Sequence, residues 1–78
     1  MQPPMIGSWR IKVHSAAPFT IHGDLYYQVQ ATRIDAPDDT SGYVLRIPQH
    51  AVGDPPQVGD HLEVTFLMGQ VTAAKRMA

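Results

Sequence analysis

Trp9-Arg10-Ile11-Lys12-Val13-His14 sets three apolar side chains against three basic ones with a period of two. An extended strand sends alternate residues to opposite faces, so the stretch reads as a β-strand with a core face and a solvent face carrying Arg10, Lys12 and His14. The same period recurs outward along the chain. Leu25, Tyr27, Val29 and Ala31 alternate with Tyr26, Gln28, Gln30 and Thr32, and Tyr43, Leu45 and Ile47 alternate with Val44 and Arg46. Leu62, Val64, Phe66 and Met68 read as inward, opposite His61, Glu63 and Thr65. Pro18 is expected to end the first strand, because proline cannot donate to a ladder. Residues 19–22 then form a short separate run, with Phe19 capping one end of the fold and Gly23-Asp24 making a tight turn or bulge. A turn at Gly69 leads into a last run over residues 70–74.

The intervening stretches lack this periodicity. Ala36-Pro37-Asp38-Asp39-Thr40-Ser41-Gly42 is turn and loop chemistry, and residues 49–59, with Gly53-Asp54-Pro55-Pro56, cannot sustain more than one helical turn. Five or six short strands without a substantial helix predict an all-β fold. A small antiparallel barrel suits it, since closure removes the exposed edges of a short open sheet. An OB-fold-like five-stranded barrel and an SH3-like barrel both fit. The run over residues 25–34, long and with a bulge-prone start, favours the former as the curved strand that serves both halves of the barrel.

With 78 residues, the chain is read as one domain, 1–78, with 1–7 as a flexible arm. A core this small is worth only about 3 to 5 kcal/mol, and the absence of cysteine rules out disulfides, so a homo-oligomer is expected. No run approaches the eighteen or so apolar residues of a membrane span, and Met1-Gln2-Pro3-Pro4-Met5 lacks the pattern of a signal peptide. The expectation is a cytoplasmic protein with no membrane contact. A formal charge of −1 gives no global basic field, so binding a polyanion would require the six Lys and Arg residues to be sorted locally.

Val58-Gly59-Asp60-His61-Leu62-Glu63-Val64-Thr65-Phe66 follows the pattern apolar-Gly-Asp-x-apolar-x-Val-x-aromatic. It resembles the turn entering a late strand in OB-type nucleic-acid-binding proteins, among them bacterial single-stranded-DNA-binding proteins and their primosomal relatives. The resemblance is motif-like over these nine residues and covers about two thirds of the chain in layout. The proline-rich connection at 49–59 departs from the helix that many of these domains place there, and the chain has no glycine-rich acidic tail. What the resemblance implies is a non-catalytic module for single-stranded DNA or RNA.

The residues themselves are compatible with that role. The outward face collects Arg10, Lys12, His14, Tyr26, Gln28 and Arg46, where cations can neutralise phosphates and a ring can stack on a base. Arg33, Lys75 and Arg76 are further candidates for phosphate contact. Exposed sheet faces carry the same residue types for solubility alone, which is the plainer reading. Tyr26 is the one tyrosine out of phase with its apolar neighbours; Trp9, Tyr27, Tyr43 and Phe66 read as core. His14, His22, His50 and His61 share no metal-ligand spacing, so neither a metal nor a cofactor is expected. No nucleophile elbow or phosphate loop is present, and the chain reads as no enzyme. The competing reading is a protein-interaction or self-assembly barrel that pairs through an edge or through exposed Leu67 and Val44.

Overall fold

The computed structural model describes residues 6–77. Five strands, β1 (Ile6–Ile21), β2 (Asp24–Arg33), β3 (Tyr43–Pro48), β4 (His61–Leu67) and β5 (Gln70–Arg76), form one antiparallel sheet in the order β3-β2-β1-β4-β5. A single helical turn, α1 (Gln49–Val52), fills part of the proline-rich connection. The fold is thus all-β with five strands, and the sheet rolls toward a barrel without closing. Closing it would require pairing β3 with β5. Each adjacent pair is antiparallel, so β3 and β5 both run in the direction of β1, and their union would be the one parallel ladder in the sheet. Parallel pairing is weaker per residue. The two edges approach within 8 Å, Cα to Cα, and leave a seam.

The strand shared by the two halves is β1, where the sequence pointed to residues 25–34. β1 pairs with β4 from Ile6 to Lys12 and with β2 from Ile11 to Ile21. Pro18 does not end it. Beyond Lys12 the strand is paired on one side alone, and such an edge is where a missing N–H is tolerated. Ile6 and Gly7 belong to the same strand, so they form no arm; residues 1–5 of that proposed arm lie outside the described residues.

A bulge at His14 gives β1 two phases. The register steps from Val13 opposite Ala31 to Ser15 opposite Gln30, so the inward set changes from Trp9, Ile11 and Val13 to residues aligned with Ala16. The bulge has a local anchor. The Val13 N–H donates to the Asp60 carbonyl (2.8 Å) and the Gly59 N–H to that of Val13 (2.8 Å), so the turn before β4 is tied on where the β1–β4 ladder stops. Asp60 completes that turn by accepting from the Gln57 N–H at 2.9 Å. The Gly-Asp motif is accounted for here by backbone geometry, with Gly59 at φ +93°.

The inner faces of all five strands share one core, centred on Ile11, Val13, Val29, Ile47, Leu62, Val64 and Phe66. Trp9 sits at its rim with Tyr43 and Phe66 edge-on at 4.9 and 5.3 Å, the favourable arrangement for aromatic quadrupoles. No polar or charged side chain is buried among the described residues. Met68, expected inward, stands exposed in the β4–β5 turn, because it and Gly69 both adopt positive φ (53° and 77°), as a two-residue hairpin loop requires. Among the described residues no helix is long and apolar enough to cross a membrane.

Candidate functional site

The hairpin between β1 and β2 builds the most distinctive surface. His22 and Gly23 both have positive φ (51° and 84°), the signature of a type I′ turn, and Ile21 pairs with Asp24. That register places Phe19 directly opposite Tyr26 on the outer face. Their rings stack with centroids 5.7 Å apart and planes inclined by 26°. On the neighbouring strand Arg46 lies opposite Gln28, and its guanidinium reaches to 5.9 Å from the Phe19 ring centre. Phe19 therefore does not cap an end of the fold, and it is the site residue that sequence reasoning missed. The odd-numbered phase of Trp9, Ile11 and Val13 would have sent it inward; the His14 bulge reverses that phase.

Tyr26, Gln28 and Arg46 are brought together; Arg10, Lys12 and His14 are not part of their group. Lys12 pairs with Thr32 on β2, six residues beyond Tyr26, or about 20 Å at the usual strand rise. Arg10 and Lys12 both face outward, as their alternation requires, but Arg10 lies 3.7 Å from Glu63 in an exposed ion pair. His14 Nε2 and Thr32 Oγ1 hydrogen-bond at 2.8 Å.

Two further cations serve the fold. The Arg33 guanidinium lies 4.4 Å from the Trp9 ring centre and donates to both oxygens of Asp35 (3.1 and 3.2 Å). Arg76 donates to Asp60 (3.3 Å) and to the carbonyls of Asp54 (3.3 Å) and Pro55 (2.7 Å), which pins the proline-rich connection to β5. Among the described residues only Lys12, Arg46 and Lys75 are cations without a carboxylate partner, and Arg46 alone of these adjoins an aromatic.

The loop beneath Trp9 is held by a second polar group. Tyr43 donates its hydroxyl to Asp39, which also accepts from the Ser41 N–H at 2.9 Å. The hydrogen bond from Tyr43, followed by that from Ser41, holds Asp39 below the ordinary carboxylate range. The same bond to Asp39, with burial second, raises the Tyr43 phenol above its usual value. For Asp35, partial burial pushes upward, but the Arg33 hydrogen bond and the backbone amides of Arg10 and Asp35 outweigh it and lower the carboxyl.

Beside the aromatic stack the β3–β5 seam opens into a cleft of about 590 Å³. Its floor is apolar, made by Leu45, Phe66 and Val71, and its rim carries Tyr26, Arg46, His50, Gln70 and Thr72. Thr72 is the extra residue of a β5 bulge, since Thr65 pairs with Ala73 and Phe66 with Val71. Asp24, at the start of β2, lies beside Tyr26 on the other flank. The four histidines sit on separate elements, and no group of three or more His, Cys, Asp or Glu side chains gathers around a common point among the described residues. Comparison with known protein families, curated proteins and solved structures yields no significant match. The function must be read from this surface.

Proposed function

We propose that the chain is a non-catalytic, cytoplasmic OB-type module that binds single-stranded nucleic acid across the outer face of β1, β2 and β3, where Phe19, Tyr26 and Arg46 meet. The observation that carries this reading is the Phe19–Tyr26 stack with Arg46 beside it, on an open sheet face. Rings and a guanidinium offer flat surfaces to unpaired bases, each base–aromatic stack being worth about 1 to 3 kcal/mol, and Arg46 adds a charge for a phosphate. A duplex hides its bases from such a surface. With three cations tied up in ion pairs, few phosphates can be neutralised, and the module binds more by stacking than by charge.

The test is an anisotropy titration with labelled oligothymidylate at several salt concentrations. Tyr26→Ala and Arg46→Ala should each weaken binding by roughly 5- to 150-fold, the span of one stack. The slope of log K against log salt should be shallow, about −0.7 for each phosphate contacted and no steeper than about −2. No binding at micromolar protein in low salt would sink the reading.

A second reading, self-association, is favoured by one observation. Ile6 (75% exposed) pairs with Leu67, and Met68 (73% exposed) follows in the turn, so three large apolar side chains lie together at one end of the outer sheet. Light scattering across a concentration series separates the two: assembly through this patch would be nearly indifferent to salt and lost in Leu67→Lys.

A further inference from the structure

The cleft in the β3–β5 seam opens beside the stacking surface and shares Tyr26 and Arg46 with it. Its volume, about 590 Å³, falls within the range of small-ligand sites. Three features define what it can hold. Leu45, Phe66 and Val71 give an apolar floor. The two walls are the edges of β3 and β5, each paired on one side only, which present backbone N–H and C=O groups that no strand satisfies. Arg46 and His50 stand at the rim.

An extended peptide is disfavoured where the two edges come closest. Inserting a strand between two edges needs about two strand spacings, roughly 9.6 Å, whereas β3 and β5 approach within 8 Å. A planar heteroaromatic ring needs less room, uses the apolar floor for its faces and the backbone groups for its polar edge. An anion attached to that ring would meet Arg46.

We propose that the seam is a nucleobase pocket, which takes one base of the strand while the adjoining phosphate rests on Arg46 and the next base stacks on Tyr26. This deepens the single-strand reading and rests on it for the identity of the natural ligand. The pocket lies where the sheet fails to close and where the Thr72 bulge widens β5, a kind of irregularity common beside binding sites.

The experiment has two arms. Thymidine 5′-monophosphate is titrated into isotope-labelled protein, and oligothymidylate binding is compared between wild type and two cleft-filling variants, Val44→Trp and Thr72→Trp. Val44 points outward and is exposed on β3, so a larger side chain there does not disturb the core. The expected result is mononucleotide-induced shifts at Gln70, Val71 and Thr72 with millimolar affinity, and at least a tenfold loss of oligonucleotide affinity in both folded variants. Oligonucleotide binding that is unchanged in the variants, with no shifts at Gln70, Val71 and Thr72, overturns the pocket and leaves the stacking surface standing. Mononucleotide shifts there without oligonucleotide binding support the pocket and overturn the strand reading. Neither response overturns both.

Discussion

At the scale of single residues, chemistry that looks alike in sequence separates into two kinds in the fold. Arg33 and Arg46 both follow a β-strand pattern. Arg33, with a side chain only 17% exposed, is committed to Asp35 and Trp9, whereas Arg46 faces solvent beside an aromatic stack. Replacing Arg33 with Met should therefore cost stability and leave binding alone. Loss of the cation–π contact predicts about 1 kcal/mol, or about 4 to 8 °C in Tm for a domain of this size, with oligonucleotide affinity within twofold of wild type. Thermal melts and the anisotropy titration check both halves. The carboxylates around Trp9 and Tyr43 set the pH response. Asp35 and Asp39 have folded values below their unfolded ones, so their contribution is full above about pH 4 and vanishes as pH falls through the lower folded values. Tyr43 is raised, so its contribution is full below about pH 10 and is lost as pH climbs through the higher folded value. Tm against pH should be flat between these limits and fall on both sides, and Asp35→Asn should soften the acid fall. An acid limb unchanged in that variant would contradict the role given to Asp35.

At the scale of elements, turns and one bulge decide which side chains reach which face. The two hairpin loops, His22-Gly23 and Met68-Gly69, each hold a non-glycine residue at positive φ. Asparagine tolerates that conformation better than histidine, so His22→Asn should raise stability by about 0.5 kcal/mol. Gly59→Ala should lower it by about 1 to 3 kcal/mol, since φ +93° is strained for any side chain even though space is open around it. Denaturant midpoints measure both. The alternating runs made β2, β3 and β4 legible in the sequence almost to their ends, because a sheet buried on one face imposes period two wherever no bulge intervenes. β1 was legible only to Val13. Its bulge at His14 and its passage through Pro18 depend on which neighbours β1 has, and pairing with a strand about fifty residues away leaves no local trace. The candidate site was half legible for the same reason. Tyr26, Gln28 and Arg46 follow from alternation on β2 and β3, but Phe19 required the hairpin register. A two-residue turn at His22-Gly23 makes partner numbers sum to 45, which sets Phe19 against Tyr26, and that turn is where the missing signal lay.

At the scale of the whole molecule, the sheet is long enough to roll, but its two edges could close it only through a parallel ladder. The outcome is an aromatic surface and a cleft at one side of the fold, with most of the unallied cations elsewhere. A net charge of −1 is consistent with a binder that relies on stacking, and three of its six cations are engaged in holding loops or strands. The exposed Ile6 and Leu67 lie on the outer face of β1 and β4 with Met68 in the turn that follows, and the aromatic stack joins the far end of β1 to β2. The most direct test of the account is to map amide and aromatic-ring chemical shifts of the isotope-labelled chain as oligothymidylate is added in low salt. Shifts concentrated on Phe19, Tyr26, Gln28 and Arg46 are the expected result; shifts confined to Arg10, Lys12 and Lys75, or none at saturating ligand, would contradict it.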